Sequence, residues 1–312
     1  MIPVGGQAVI EGVMMKAPKS LAVVVRRPSG EIVFKEDILH PWAERFPILK
    51  WPVLRGTLTL METLILGIKA LNYSANQALA EEKEAKDIGF WTMLGTMALA
   101  FLLGLGLFVA LPHWISAYLG GLSSFRFGVE SFSFHLLDGW IKVIFFIAYV
   151  WIISRFKEIR RIFQYHGAEH KSIFTYEAGQ ELTVENAKPH STLHPRCGTS
   201  FILLVLIISI LFFSVLFPFL PQLASWQTWS RNLIYVGLKV LLMIPIIGLA
   251  YEAIKLSSKK AHLFWVRILI LPGLWIQKLT TQEPTEDQIE VALEALQRVL
   301  HLEGQLSPKP VV

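Results

Sequence analysis

The sequence contains one cysteine, Cys197, and has no internal repeat and no low-complexity block. A single cysteine excludes an internal disulfide, so Cys197 is either a free thiol or a metal ligand. The lack of repeats excludes a solenoid or another array of repeated units. The first fifteen residues have no charged region ahead of their apolar stretch, so we expect no cleavable signal peptide.

Charged residues make up only 17% of the chain and hydrophobic residues 53%, and the mean hydropathy is +0.49. This balance excludes a soluble globule of the ordinary type. Lys142 lies near the start of the apolar segment 138–154, the second of four, and a lysine near a helix end can extend its amine to the lipid headgroups. We predict a mainly α-helical, polytopic membrane protein with about four spans, since four apolar segments approach or exceed the roughly 17 to 25 residues that a span needs: 90–111, 138–154, 199–220 and 232–254.

The distribution of lysine and arginine predicts the orientation, because positive residues near span ends are retained in the cytoplasm. Seven lie between the second and third spans, whereas the other two loops carry only Arg126 and Arg231. We therefore expect a multi-pass protein of the cell membrane with both termini and the 155–198 loop in the cytoplasm. The net charge of +5 is spread along the membrane flanks, which suits contact with the lipid bilayer and predicts no nucleic-acid site.

The N-terminal residues have the pattern of β-strands. Two apolar stretches flank Pro28, Ser29 and Gly30, which predict the turn of a hairpin. The patterning as a whole divides the chain into four parts: a β-containing cytoplasmic unit (1–50), an amphipathic interfacial helix with a charged linker (51–87), a membrane domain that includes the cytoplasmic metal-site loop 155–198 (88–254), and an interfacial segment with a cytoplasmic helix (255–312).

The helical stretch over residues 52–80 carries Arg55, Glu62 and Lys69 at seven-residue spacing, which places the three charges on one face. We expect this helix at the cytoplasmic interface, because a crossing there would reverse the topology of everything downstream. The alternative stays open: a fifth span over residues 53–72 whose charges face the protein interior.

The segment after the last span, residues 262–281, is apolar but interrupted by Arg267 and Pro272. It predicts a re-entrant or interfacial segment anchored by Trp265 and Trp275. The sequence TEDQIEVALEALQRVL that follows has an acidic start, helical periodicity and a basic end, so we predict a short soluble helix there.

The loop between the second and third spans carries four candidate metal ligands: His166, His170, His194 and Cys197. On a helix, His166 and His170 share one face, and Glu169 reaches the same volume. Their H-x-x-E-H spacing is that of inverted zinc peptidases, in which both histidines bind zinc and the carboxylate is the general base. His194 and Cys197 follow closely, and imidazole with thiolate favours Zn²⁺.

The number of ligands separates two functions. Four ligands, His166, His170, His194 and Cys197, would close the tetrahedron around a structural ion. Three ligands would leave room for a water molecule, which Glu169 would activate from just outside the coordination sphere. Two readings without metal stay open: histidines that merely pack at the membrane surface with a buried Cys197, and a Cys197 nucleophile assisted by His194.

Other residues are candidates for supporting roles in this site. The inverted zinc peptidases take a further glutamate ligand from a later helix, for which Glu252 is the strongest candidate, with Lys255, Arg196 or the metal as its partner. Two further acids of the loop, Glu177 and Glu185, are also candidates. Near the N-terminus, Gln7 and Glu11 could face the site, because the neighbouring Gly5, Gly6 and Gly12 permit close backbone approach. Arg196 and Lys171 would attract a phosphate or carboxylate, or else face lipid headgroups.

Five separated motifs resemble those of the YqhQ family: GGQAVIEGVMM at 5–15, YHGAEHK at 165–171, LTVEN at 182–186, HPRCGTSF at 194–201 and PGLWIQKLTTQEP at 272–284. The family comprises bacterial integral membrane proteins of unknown function that are often described as predicted metal-dependent enzymes. The resemblance covers nearly the whole chain. It implies a membrane location and metal dependence, and it implies no particular substrate.

The first functional hypothesis is a zinc-dependent hydrolase at the cytoplasmic membrane face. His166 and His170 would bind the metal, His194 or Cys197 would complete the shell, and Glu169 would activate water. The substrate would be a membrane-associated peptide or a lipid-linked ester or phosphate. The second hypothesis is a noncatalytic membrane scaffold or assembly factor with a structural ion. A transporter is less favoured, because the spans carry few interior charges and no paired broken helices.

Overall fold

The computed structural model describes residues 1–42, 51–80, 89–122, 127–220, 226–259 and 264–306. The predicted charged linker at 81–87 lies outside these residues. The helices, in chain order, are α1 (Leu54–Leu79), α2 (Phe90–Leu105), α3 (Leu111–Leu122), α4 (Phe132–Ile153), α5 (Lys157–Glu177), α6 (Val184–Ala187), α7 (Gly198–Leu216), α8 (Thr228–Lys259), α9 (Phe264–Thr280) and α10 (Glu286–Leu306).

The N-terminal residues form an antiparallel sheet with the strand order β1-β2-β3-β4. The predicted hairpin is confirmed between the last two strands, where Gly30 adopts a φ of 89° that favours glycine. A second hairpin divides the apolar run at 7–15, because Glu11 takes a φ of 53° between the first two strands. The strands are β1 (Gly5–Val9), β2 (Gly12–Lys16), β3 (Ser20–Arg26) and β4 (Ile32–Ile38).

Within the described residues, four helical stretches are long and apolar enough to cross a membrane, which confirms the fold class. The first joins α2 and α3 through a π-helical turn at Gly106–Ala110. The second is longer than its predicted segment, because the residues from Phe132 onwards are also helical. The four stretches are Leu94–Leu122, Phe132–Ile153, Gly198–Phe219 and Thr228–Leu256.

Lys142 does not extend to the lipid headgroups as expected. It lies near the middle of α4, and its Nζ is 2.8 Å from Oδ2 of Asp138, one turn earlier. Both side chains are buried, and Lys239 of α8 donates to the same carboxylate oxygen over 2.6 Å. An acid and two lysines therefore meet inside the bundle, where they partly neutralise one another, and this clustering was not foreseen from the sequence.

Helix α1 is not among the described helices that are long and apolar enough to span a membrane. It packs instead along the C-terminal half of α8, where Thr57 Oγ1 donates to the carbonyl of Ile244 over 2.9 Å and Gly56 lies against Tyr251. Arg55 Nε donates to Oε1 of Glu252 over 2.6 Å. Glu252 therefore pairs with Arg55, and Lys255 also acts electrostatically on its carboxylate. Within the described residues, neither Arg196 nor a candidate metal ligand is among its partners.

The C-terminal helices cover the sheet and the candidate site. Helix α9 continues through Pro272 without a break, and Trp275 on it is exposed, as an interfacial anchor would be. The predicted final helix is confirmed as α10. Its residues Val291, Leu296 and Val299 are fully buried against one face of the sheet and against α5. The sheet, α5 and α10 therefore share one hydrophobic core.

Glu303 anchors α10 to the sheet, so its removal should destabilise this core. Its buried carboxylate accepts hydrogen bonds from the Lys19 amide over 2.9 Å and from Ser20 Oγ over 2.8 Å. We expect Glu303→Ala to lower the free energy of unfolding by about 2 kcal/mol, because the Lys19 amide loses its acceptor and the buried Ser20 hydroxyl keeps only the Val299 carbonyl. Thermal unfolding in detergent measures the change. Glu294→Ala, which removes a partly exposed pair with Arg298 on the same helix, is the matched control and should change little.

Candidate metal centre

The predicted helix that carries the H-x-x-E-H motif is confirmed as α5. Glu158 lies in its first turn, where an acid favours the helix dipole. Gly179 ends it with a φ of 68°, and the amides of Gly179 and Gln180 close back onto the last carbonyls. The ring centroids of His166 and His170 lie 4.5 Å apart. The two imidazoles therefore share one face, as the four-residue spacing predicts.

Cys197 meets these histidines from the start of the third span. It is the N-cap of α7, and its Sγ accepts from the Thr199 amide over 3.5 Å. Nε2 of His166 lies 3.1 Å from Sγ of Cys197. One ligand atom from each of His166, His170 and Cys197 lies within 4.8 Å of the other two. Two elements 31 positions apart in sequence thus bring three soft donors to one point.

Main-chain carbonyls orient both histidines. Nδ1 of His166 lies 2.8 Å from the Thr280 carbonyl oxygen, and Nδ1 of His170 lies 2.5 Å from that of Thr192. A carbonyl only accepts, so each Nδ1 must carry the proton. In the neutral form of each ring, Nε2 is then the nitrogen with a free lone pair, and it is directed to the cluster. Metal-binding histidines are commonly held in this way by a second hydrogen bond.

Glu169 lies beside the three donors without joining them. Its Oε2 is 3.6 Å from Nε2 of His170 and 3.9 Å from Nε2 of His166. Strand β1 approaches it so closely that a Cβ on Gly6 would lie 2.6 Å from Cγ of Glu169. Burial raises the pKa of this carboxyl, while the nearby His166 and a hydrogen bond from the Gly6 amide act in the opposite direction.

His194 is near the cluster but lies outside the group of three. Its ring centroid is 5.6 Å from that of His170. Its Nε2 is buried and has no hydrogen-bond partner among the described residues, although Oε2 of Glu177 lies 3.5 Å away. Burial, and then the proximity of His170, lowers the pKa of His194 to about 4. The ring is therefore neutral at pH 7.

The supporting residues proposed from sequence are only partly in place. Arg196 lines the cavity at the cluster and forms an ion pair with Glu177. Lys171 instead binds the Lys188 carbonyl and Glu283, at the far side of α5. The other residues point elsewhere: Glu185 is exposed, Gln7 packs on Gly67 of α1, and Glu11 pairs with Arg161.

Sequence reasoning missed the role of α9, whose C-terminal turn supports the site. Gln277 is fully buried, and its amide binds both the N–H and the carbonyl of His194 at 2.8 Å. It also donates to Ser200 Oγ over 2.8 Å. Thr280, one turn later, supplies the carbonyl that holds His166. The motif at 272–284 contains both residues and could have pointed to this role, but it supported only the family resemblance.

The cluster opens into a small cavity of about 90 Å³. Gly5 and Gly6 of β1 form one wall, and the histidines, Glu169, Arg196 and Cys197 form the others. This volume accommodates a water molecule and a small functional group. A substrate would therefore present one reacting group here, with the rest of the molecule outside.

The family profile described as "Protein of unknown function (DUF1385)" matches residues 51–302. The chain belongs to the DUF1385 family. This DUF1385 protein is also 33% identical over 315 residues to a protein of Bacillus subtilis (strain 168) described as "Uncharacterized protein YqhQ". That match covers 96% of this chain and 93% of the relative, so the resemblance inferred from the five motifs is confirmed. No solved structure matches.

The matched range of the DUF1385 profile includes α5, Cys197 and the last turn of α9. It does not include β1, whose Gly6 amide binds Glu169. The longer match to the Bacillus subtilis protein covers nearly the whole chain. The comparisons establish the family and leave its chemistry to be argued from the site.

Proposed function

We propose that this DUF1385 protein is a zinc-dependent hydrolase that acts on a membrane-associated substrate. One observation carries the proposal: three oriented soft donors converge beside a buried carboxylate that is not one of them. Zinc enzymes commonly supply three protein ligands and keep the fourth position open, whereas structural zinc sites use four.

The donor set fits zinc better than other common metals. Two imidazole nitrogens and one cysteine sulfur suit Zn²⁺, while Mg²⁺ and Ca²⁺ require oxygen ligands. Hydrogen bonds to Thr280 and Thr192 leave both Nε2 atoms free to bind. His166, His170 and Cys197 would therefore hold the ion, with His194 outside its first shell.

The neighbouring residues supply the remaining chemistry. A bound Zn²⁺ with an open position acts as a Lewis acid and lowers the pKa of water. Glu169 would accept the proton, because its carboxylate lies beside the converging ligand atoms without being one of them. Arg196 in the cavity wall would orient a carbonyl or phosphoryl oxygen of the substrate.

The position of the site indicates its substrates. Cys197 directly precedes the span Gly198–Phe219, so the cluster lies where this helix would leave the membrane. The distribution of lysine and arginine among the loops predicts that this end faces the cytoplasm. The substrate class is a membrane-associated peptide segment or a lipid-linked ester or phosphate.

Cobalt substitution tests whether the coordination is open, without knowledge of the substrate. We expect the Co²⁺-loaded protein to show visible bands that change when azide is added. The His194→Ala variant should bind Co²⁺ and respond to azide equally, because His194 is outside the first shell. Glu169→Gln should also retain its metal, as measured by elemental analysis, while any hydrolytic turnover is lost.

The opposite result would favour a noncatalytic scaffold with a structural ion. His194 supports this second candidate, because its buried Nε2 lacks a hydrogen-bond partner in the described residues and its ring lies next to His170. In that case His194→Ala loses the metal and azide leaves the spectrum unchanged. Metal loss in Glu169→Gln would instead make Glu169 a ligand and remove the proposed base.

A further inference from the structure

A second polar cluster lies inside the membrane bundle, apart from the metal centre. Asp138 and Lys142 of α4 meet Lys239 of α8, and all three side chains are buried. Lys239 Nζ also lies 3.1 Å from Nδ1 of His113, which must accept this hydrogen bond. His113 is therefore neutral, and the ring of His135 packs against Phe217 beside the group.

The ionised groups of this cluster do not balance. Two lysine Nζ atoms share one carboxylate oxygen, so the three residues carry a formal charge of +1 when both lysines are protonated. An anion bound beside them would stabilise this doubly protonated form. Uncompensated charge within the hydrocarbon layer is costly, and such residues commonly pair with one another or with a ligand. One monovalent anion beside the two lysines would restore neutrality.

A cavity of about 340 Å³ adjoins the two lysines. Lys142 and Lys239 both line it, whereas Asp138 does not. Apart from Ser209, the walls are largely hydrocarbon and aromatic, and they include Val205 and Leu206. The volume is in the range of small-molecule sites, about 300 to 1,000 Å³. The cavity is therefore cationic at one place and apolar elsewhere.

The π-helical turn in the first span contributes to this cavity. Phe108 and Val109, both within Gly106–Ala110, form part of its wall. Single π-helical turns occur frequently at functional sites because they redirect side chains within an otherwise regular helix. Toward the other end, the cavity reaches Tyr149 and Ile202, which are exposed on the surface of the spans. A ligand could enter there from the lipid.

We propose that this cavity binds a long-chain carboxylate, with its carboxylate between Lys142 and Lys239 and its hydrocarbon chain along the apolar wall. A single negative charge matches the excess charge of the cluster. The apolar wall offers nothing to a hydrated inorganic anion, whereas it replaces water around a hydrocarbon chain. This site is separate from the metal centre, because none of the residues that line its cavity also lines the cavity at the metal centre.

Fluorescence of cis-parinaric acid, a long-chain carboxylate with a polyene tail, measures binding directly. The full-length protein would be held in nanodiscs of phosphatidylcholine and treated with a chelator, so that the result does not depend on the metal centre. We expect saturable binding, with the methyl ester at least about tenfold weaker, because a hydrogen bond to a charged group contributes about 1.5 to 3 kcal/mol.

Variants assign the binding to the cavity. Lys239→Met and Lys142→Met should each weaken the acid about tenfold and leave the ester unchanged. Either variant leaves one lysine paired with Asp138, so the bundle keeps a balanced ion pair. Asp138→Asn removes the competing carboxylate and should strengthen binding of the acid. Val205→Phe fills the apolar part and should weaken both probes, while Lys157→Met at the start of α5 is the matched control.

Three results would overturn the proposal. The first is equal binding of the acid and the ester, and the second is unchanged affinity in both lysine variants. The third is displacement of the acid by millimolar chloride or inorganic phosphate, which would make the site one for a small anion. If a lysine variant fails to fold, the Val205→Phe variant and the comparison of acid with ester in the unaltered protein still test whether the carboxylate binds in this cavity.

Discussion

A His170→Ala variant should purify with zinc near background, whereas the unaltered protein should carry about one ion per chain. His170 is 1% exposed and supplies one of the three converging donor atoms. Loss of a residue that only orients a ligand costs 10- to 100-fold in metal affinity, so loss of the ligand itself should cost about 100-fold or more. Elemental analysis after gel filtration measures the metal content directly.

His190→Ala is the matched control for this experiment. His190 lies in the same loop but binds Gln180, with its Nε2 2.7 Å from Oε1, and it stacks on Phe174. It has no contact with the three donors in the described structure, so its removal should leave the zinc content unchanged. Equal zinc content in both variants would contradict the assignment of His170 as a ligand.

A Gly167→Ala variant should lose both stability and metal affinity. A Cβ at this position would lie 2.1 Å from the carbonyl oxygen of Gln282, which is main chain and cannot rotate away. The segment that would have to move directly follows Thr280, whose carbonyl orients His166. We expect the free energy of unfolding to fall by about 3 kcal/mol, the upper part of the usual range for overpacking, and zinc affinity to fall about tenfold.

Thermal unfolding and a competitive zinc titration measure the two effects of Gly167→Ala. Gly237→Ala is the control, because Gly237 lies within α8 and a Cβ there meets nothing within 4 Å. Unchanged zinc affinity in a destabilised Gly167→Ala protein would mean that the Thr280 carbonyl does not set the orientation of His166.

Local pattern was sufficient to predict much of the architecture. The spans follow from uninterrupted apolar length, and the last hairpin of the sheet follows from Gly30 in its turn. The shared face of His166 and His170 follows from helical geometry alone. Each of these features depends on residues close together in sequence, so no knowledge of long-range packing was required.

The features that sequence reasoning missed all depend on packing between distant segments. Gln277 looks like any polar residue at the end of an apolar stretch, and only the approach of α9 to α7 places it on His194. The ion pair of Glu252 with Arg55 was missed because it requires the docking of α1, nearly 200 positions away. Gly6 gave a hint of close approach, and its contact with Glu169 requires the sheet to pack on α5.

The shared carboxylate of Asp138 has a consequence for how the chain is assembled during its synthesis. A charged side chain at the centre of a span costs about 2.5 to 3.5 kcal/mol when the helix inserts alone. Helix α4 enters with its own counter-ion one turn away, whereas α8 has no acidic residue within one turn of Lys239. Insertion of the fourth span should therefore become more favourable once it meets the second, so biogenesis of this bundle depends on the earlier insertion of α4.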